Sequence, residues 1–364
     1  MRKYDYGIVI GRFQPFHLAH QQLIKYALNL SEKVVIVLGS ARSASDIRNP
    51  FTPKMREKMI RLCFPDEAER LIFRAVRDYP YNDNVWMTEI QNNISGAIED
   101  DLETLPAWED KKVGREIEDA KVTLIGYFKD RSSYCLNLFP QWSFEELFLN
   151  PKSHPEFAIN GTQVRESFFA DEADWQNQVP SEIVGFLEDF RQSADFATLQ
   201  KEFAYIRKYK EVTKFAGVSF EATFITTDAV VVQSGHLLVI RRGHQPGKGL
   251  LALPGGFLQS GQTLEESALK ELKEETRINV PVSVLKGSIK ASHAFDYPER
   301  SQRGRTVTFA YHIELQPSLK DGLPKVKGGD DAKKAFWLPL SALGEMEEEF
   351  FEDHIHIVRY FLGL

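Results

Sequence analysis

The sequence predicts an α/β protein in two parts, a parallel-sheet domain followed by an α+β domain. Two observations carry this expectation. Up to Phe128, apolar strand-like runs alternate with helix-period segments, the pattern of βαβ units and a parallel sheet. Beyond Lys214, short strands follow one another around a single strongly periodic helix. The length of 364 residues suits about two or three domains.

In order, "YGIVIGRF" reads as a strand ending in Gly11. "HLAHQQLIKYALNL" then reads as a helix whose Leu23, Ile24, Ala27 and Leu28 share an inner face. "KVVIVLGSA" is a strand, "TPKMREKMIRLCF" a helix, "RLIFRAVR" a strand, "VWMTEIQNNISGAI" a helix and "KVTLIGYF" a strand. Right-handed crossovers put the loops after these strands on one side. From Ser181 to Lys214 the chain is charged and helical, with Phe186, Phe190, Phe196, Phe203 and Tyr205 marking packed faces. "FEATFITTDAVVVQSGHLLVIRR" predicts short strands turning at Ser234-Gly235. "TLEESALKELKEETRI" is a helix, "VTFAYHIEL" and "KKAFWLPL" are strands, and a helix closes the chain. The expected limits are a first domain over 1–185, a helical connector over 186–214 and a second domain over 215–364.

Composition narrows the function classes. Hydrophobic residues make up 43% and charged residues 27%, as in soluble globular proteins. A net charge of -7 provides no global field for nucleic acid, so anionic ligands need local basic groups. Cys63 and Cys135 are too few for a disulfide framework. No run approaches transmembrane length, and "MRKYDYGIVIGRF" lacks the apolar stretch of a signal peptide. The expectation is a cytoplasmic protein without membrane or nucleic-acid partners; a homo-oligomer is compatible with these features.

"GRFQPFHLAH" poses the first chemical question. Gly11 lets backbone approach a ligand, and the following helix offers N–H groups and a positive dipole end to phosphate. His17 and His20, three apart, share a helix face, and Arg12 adds a positive fork. Such a cage stabilises negative charge developing at phosphorus. Helix capping is the plain alternative, and metal ligation lacks a third donor nearby in sequence.

The stretch resembles the HxGH-type signature of nucleotidylyltransferases, in the form of the archaeal-type nicotinamide mononucleotide (NMN) adenylyltransferases, with Ala19 for the usual glycine. The resemblance covers residues 1–180 and implies a Rossmann-like domain joining NMN and ATP into NAD. "SARSASDIRNPFTPKMREKMI" is similar to the family's next loop and helix, placing Arg48 at a phosphate-contacting position. "INGTQVRE" resembles ISxTxxR, which implies that Gly161, Thr162 and Arg165 hold the triphosphate. Gly11, Arg12 and Phe13 belong to the same substrate set. In "YNDNVWMTEI", Trp86 offers a stacking face for a cationic pyridinium and Asn84 an amide for a carboxamide. For a lone Trp, a place in the core is the more common reading. "GYFKDRSSYCLNLFPQW" resembles bacterial members and adds Lys129, Asp130, Ser132 and Ser133 just after a strand.

The second motif is "GGFLQSGQTLEESALKELKEET". Glu271, Glu274 and Glu275 lie three and four apart, so Glu271 faces the other two across a helix. Three carboxylates after a glycine turn suggest Mg²⁺ or Mn²⁺ on oxygen ligands; a solvated acidic stripe is the alternative. The stretch resembles the Nudix box, with Gly256 as its first glycine. Gln262 stands for the first Glu, Lys270 for the Arg and Arg277 for the late Gly. The resemblance implies metal-dependent hydrolysis of ADP-ribose to AMP and ribose 5-phosphate, with no organic cofactor. Arg300, Arg303 and Arg305 in "HAFDYPERSQRGRTVTF" are candidates for the pyrophosphate or terminal ribose, and Asp330 or Asp331 for a ligand or base. A non-catalytic second domain that senses ADP-ribose or NAD is the competing reading. The expected small-molecule partners are ATP, NMN, NAD and ADP-ribose.

Overall fold

The computed structural model describes residues 2–104, 119–128, 136–148, 158–213, 222–317 and 322–364. The chain forms two compact units, Met1–Gln200 and Lys201–Leu364.

The first unit is built on strands β1 (Tyr4–Gly11), β2 (Ser31–Leu38), β3 (Leu71–Ala75), β4 (Val122–Gly126) and β5 (Ser143–Glu146). Its helices are α1 (Leu18–Leu30), α2 (Pro53–Cys63), α3 (Asp83–Glu103), α4 (Gly161–Phe169) and α5 (Ser181–Arg191); α6 (Ala194–Val212) runs past the unit boundary. Among the described residues the sheet order is β3-β2-β1-β4-β5, and every pairing is parallel. The chain steps outward from β1 and then returns to β1's other side, so strand order reverses between β1 and β4. Ligands of open α/β sheets bind beyond the strands' carboxyl ends at that reversal.

Side-chain period explains the layers. Leu23, Ile24, Ala27 and Leu28 of α1 are buried, as their spacing predicts. Ile90, Ile94, Ala97 and Ile98 of α3 bury against Tyr6, Ile8, Val35, Val37 and Leu124. Phe168, Phe190 and Phe196 form an aromatic cluster with Trp175, so the helices after residue 180 are packed rather than strung out. β5 has no counterpart in the sequence reading: it is four residues long and carries two glutamates at a sheet edge, with no buried run to mark it.

The second unit contains β6 (Phe224–Gln233), β7 (His236–Arg242), β8 (Leu251–Ala252), β9 (Gly255–Phe257), α7 (Leu264–Thr276), α8 (Val282–Gly287), β10 (Ile289–Phe295), β11 (Thr306–Glu314), β12 (Ala332–Pro339) and α9 (His354–Leu362). Its sheet runs β10-β11-β6-β7-β12, with β8 on β7 and β9 on β6. The β11–β6 pair is parallel and the others are antiparallel, so the sheet is mixed. Ser234 and Gly235 take φ of 47° and 71°, the backbone a two-residue hairpin requires. Leu269, Leu272 and Ile278 pack on Ala229, Val231, Leu238 and Ile313. β10 is missing from the sequence reading because four of its seven residues are exposed. Among the described residues no helix is long and apolar enough to cross a membrane.

Thr263 caps α7 and Glu266 reciprocates. The helix ends on Arg277 at φ 46°, a left-handed residue where glycine fits without a Cβ penalty. Arg277→Gly is expected to stabilise this unit by up to about 1 kcal/mol, the strain a side chain carries there. Thermal unfolding of the intact chain reads this out; a lower midpoint would show that side-chain packing outweighs the strain.

Candidate functional sites

In the first unit, β1 ends at Gly11 and delivers Arg12, Phe13 and the start of α1 to the strand-end crevice. His17 is the N-cap of α1 and is buried. The His17 and His20 rings stack with centroids 3.6 Å apart. The His17 backbone N–H donates to His20 Nδ1 at 3.4 Å, which leaves Nε2 as the donor nitrogen of a neutral His20 ring. The capping and phosphate readings of this pair therefore coexist: the cap orients the imidazole. At 1% exposure, the Phe13 ring is a wall packed edge-on to His20 at 4.7 Å.

The two ends of the first unit meet here. Asn160 caps α4, its Oδ1 accepting from the Thr162 and Gln163 N–H groups. Arg165 Nη1 donates to the Gln14 carbonyl at 2.5 Å, and Nη2 to Thr162 Oγ1 at 3.2 Å. Gly161 makes this approach possible, since a Cβ there would lie 3.1 Å from Arg165 Nη1 and 3.2 Å from Gln14 O. Gln14 exchanges two hydrogen bonds with the Phe51 backbone and so ties down the loop carrying Arg48. The charges of Arg12 and Arg48 both reach Arg165, whose pKa is lowered to about 10, chiefly by burial. Asp46 is the acidic counterweight: its Oδ1 accepts from the Arg48 and Asn49 N–H groups, and burial raises its pKa. Arg12 and Arg48 near the buried Arg165 concentrate positive charge, a setting that suits a polyanion.

Arg56 is a residue the sequence reading passed over. It is 0% exposed, and Nη1 donates to the carbonyls of Arg12 at 2.8 Å and Gly39 at 2.6 Å. It thereby clamps the ends of β1 and β2 together. Its signal was present: position 56 shares a helix face with Met59, Ile60 and Cys63, all buried.

A cavity of about 600 Å³ opens beside Ala41, Arg42, Ala75 and Arg77, at the ends of β2 and β3, and Asn84 lines it. Trp86, two residues on, is half-buried and packs on the central core, 6.0 Å from Phe139. The structure thus brings Asn84 to the cavity and sets Trp86 partly into the core. Lys129, Asp130, Ser132 and Ser133 lie outside the described residues.

In the second unit, β9 runs alongside the catalytic-type helix. Glu275 Oε2 accepts from the Gly255 N–H at 2.9 Å. Glu271 lies so close to the turn that a Cβ on Gly256 would sit 2.7 Å from its Cδ. Gly256 is therefore required by close approach. Glu274 is more exposed and lies 3.8 Å from Lys270, which also donates to Gln259 Oε1 at 2.9 Å. Among the described residues no three His, Cys, Asp or Glu side chains already converge into a metal cage. The donors nevertheless fit a hard divalent cation. Burial, then Glu274, raises the pKa of Glu271; burial pushes that of Glu275 up to about 8, with Glu271 adding to it. A buried and a half-buried carboxylate in mutual repulsion suit a cation.

Because the folded Glu275 pKa lies above its ordinary value of 4.5, folded protein keeps a proton that unfolded chain has lost between 4.5 and about 8. Stability of metal-free protein should therefore fall as pH rises through that window. Thermal unfolding across it should show the slope in wild type and a flatter profile in Glu275→Gln. An unchanged slope would assign it to other groups.

The three arginines separate. Arg300 is not available to a ligand as expected: it is 6% exposed and holds Asp353 through two bonds of 2.9 and 2.8 Å. Arg305 is tied to the Asp296 carbonyl at 2.5 Å. Arg303 lies over the Phe257 ring, 5.3 Å from its centroid, with Glu352 at 3.8 Å. Arg242, at the end of β7, was not foreseen; its lowered pKa reflects burial and Arg303, opposed by Glu352, Glu275 and Asp331. It links the carboxylate helix to Arg303 electrostatically. Asp330 and Asp331 both add to the raised pKa of Glu271.

Comparison with known proteins agrees with this geometry. Residues 8–166 match the cytidylyltransferase-like family model and residues 223–361 the NUDIX domain model. A nicotinamide/nicotinic acid mononucleotide adenylyltransferase of Acinetobacter baylyi is 35% identical over 204 residues, covering 56% of this chain and 95% of that protein. An ADP-ribose pyrophosphatase of Methanocaldococcus jannaschii is 30% identical over 138 residues, covering 38% of this chain and 72% of that protein. The crystal structure of a bifunctional NMN adenylyltransferase/ADP ribose pyrophosphatase from Francisella tularensis, complexed with AMP and a Mn ion, superposes with a TM-score of 0.83 at 29% identity, covering 99% of each chain. The chain belongs to the family that joins an NMN adenylyltransferase domain of the cytidylyltransferase-like class to a NUDIX domain.

Proposed function

We propose that the intact chain both makes and dismantles adenine nucleotides linked through pyrophosphate. The first unit joins ATP and NMN into NAD and pyrophosphate. The second hydrolyses ADP-ribose to AMP and ribose 5-phosphate. The observation that supports the first activity most directly is the Arg165–Gln14 bond, which seats Arg165 and α4 beside the histidine helix.

In the first reaction the NMN phosphate attacks the ATP α-phosphorus in line and pyrophosphate leaves. Arg48 and Arg165, with Arg12 and Thr162, take the triphosphate, which enters with its Mg²⁺. The N-terminus of α1 faces the transferring group, and His20 donates toward charge that grows in the transition state. Asn84 and the uncovered part of Trp86 receive the pyridine. Trp86→Ala should raise KM for NMN and spare that for ATP, since only the pyridinium uses a stacking face; an equal rise for both, or unfolding, would leave Trp86 a core residue.

In the second reaction Glu271, Glu274 and Glu275 hold Mg²⁺ or Mn²⁺. Such an ion, when bound, neutralises the pyrophosphate and acidifies water. The Gly255 N–H orients the Glu275 carboxylate, and Arg242 and Arg303 balance phosphate charge. The deciding assay gives the intact chain ATP plus NMN, then ADP-ribose, with each metal, and separates products by chromatography. NAD in the first and AMP in the second are expected. Stoichiometric ADP-ribose binding without AMP would replace the hydrolase with a sensor.

A further inference from the structure

Behind the two glycines of β9 lies a carboxylate that neither reaction step uses. Asp228 belongs to β6, between Thr227 and Ala229, and is 5% exposed. The strand register pairs it with Gly255, and pairs Thr227 with Gly256. Successive strand residues face opposite sides of a sheet, so the two glycines look opposite ways. Gly256 looks toward Glu271, as its close approach to that side chain shows. Gly255 looks toward Asp228: a Cβ there would lie 2.4 Å from Asp228 Oδ1 and 2.2 Å from the Thr227 carbonyl oxygen. Gly255 is thereby confined between two carboxylates, with Asp228 where a side chain would be and Glu275 on its N–H.

Asp228 is itself fixed. Its Oδ2 accepts from the fully buried Thr308 hydroxyl of β11 at 2.6 Å. Its charge reaches Arg300, which already grips Asp353. On either side of it, Thr227 Oγ1 lies 3.4 Å from Ser267 Oγ of α7, and the Ala229 N–H donates to the Pro254 carbonyl at 2.9 Å. The strand is thus tied to both elements that carry the site, β9 with its glycines and α7 with its glutamates. Packing alone asks for no charge at position 228. Val230 and Val232, on the same face of β6, are buried and apolar, and an aliphatic side chain would fill the place without the cost of burying a carboxylate. The carboxylate also acts on the site electrically: burial is the main cause of the raised Glu275 pKa, and the Asp228 charge adds to it.

We infer that Asp228, fixed by Thr308, is a positioning residue for the hydrolysis: through Gly255 it sets where the Glu275 carboxylate stands, and so how tightly the carboxylate helix takes its divalent cation. The inference rests on the hydrolase reading and extends it to a residue on the opposite face of the sheet from the Gly256–Glu271 contact. Asp228 touches neither nucleotide nor reacting water in this role; it acts through the backbone that holds Glu275.

The test uses the full chain without nucleotide, titrated with Mn²⁺ alone and followed by calorimetry. ADP-ribose cleavage and thermal unfolding are read on the same samples. Asp228→Asn keeps the shape and removes the charge; Thr308→Val keeps the charge and removes the hydroxyl that fixes it. Each is expected to weaken Mn²⁺ binding about tenfold or more, the usual cost of losing a group that orients a metal ligand from behind. Cleavage should fall at limiting Mn²⁺ and recover toward wild type as Mn²⁺ is raised. Thr308→Ser, which keeps a hydroxyl, should bind Mn²⁺ and cleave like wild type. A merely structural Asp228 predicts a lower unfolding midpoint with Mn²⁺ affinity unmoved, and that result in both variants would overturn the positioning role alone. If Asp228→Asn does not fold, the comparison of Thr308→Val with Thr308→Ser decides. A wild-type chain that neither binds Mn²⁺ nor cleaves ADP-ribose would overturn the inference together with the hydrolase reading.

Discussion

His20→Ala is expected to cut NAD formation by about a hundredfold or more, because one preorganised donor to a transition-state oxygen is worth that much. ATP affinity should change little. In the proposed mechanism, ground-state phosphate charge is met by Arg12, Arg48 and Arg165, while the imidazole meets charge that appears only as the bond to pyrophosphate lengthens. The loss should therefore appear in kcat, at saturating ATP and NMN. The geometry sharpens the expectation. His20 is held from three sides, by the His17 ring, the Phe13 edge and the His17 N–H, so the orientation of its ring is set by the fold. Turnover near wild type would remove His20 from the reaction, and a parallel fall in ATP affinity would make it a ground-state contact.

Glu275→Gln should lower ADP-ribose cleavage at least about a hundredfold, since in the proposed mechanism it removes a ligand charge from the metal and loosens its orientation. NAD formation should be preserved, because Glu275 belongs to the other unit. The same variant should be more stable than wild type in metal-free buffer near pH 8, where the buried carboxylate is costly. Activity and stability thus move in opposite directions, which a merely damaging substitution does not produce. Gln262→Glu, restoring the family carboxylate, should leave cleavage equal or raise it. Its Oε1 is buried with no hydrogen-bond partner among the described residues, a site where a cation or water would satisfy an added charge. If Glu275→Gln retained full cleavage, the reaction would have to be assigned elsewhere.

Much of this was legible in the sequence, for reasons that differ by residue. Leu23, Ile24, Ala27 and Leu28 declared themselves by period, and Ser234-Gly235 by turn chemistry. The closeness of His17 to His20 and of Glu271 to Glu274 and Glu275 was legible because each group falls within about one turn of helix. What stayed hidden depends on contacts between distant segments. Arg300 looked like its neighbour Arg303 until Asp353, fifty-three residues away, claimed its guanidinium. Arg56 was passed over although it falls on the buried face of its helix, because its partners are two carbonyls at strand ends. Arg242 closes an ordinary strand, and only folding brings it into reach of Glu275. β5 and β10 were missed because edge strands need no apolar run to stay paired.

The bond between Arg165 and Gln14 spans 151 residues, and it bears on how the protein comes into being. On a ribosome the β1–α1 turn emerges early, yet the basic seat beside it lacks a side until α4 has been made. The parallel strands can begin to pair before then, so the catalytic crevice is a late product of synthesis. A nascent chain stopped short of α4 would own its histidines and still be unable to grip a nucleotide.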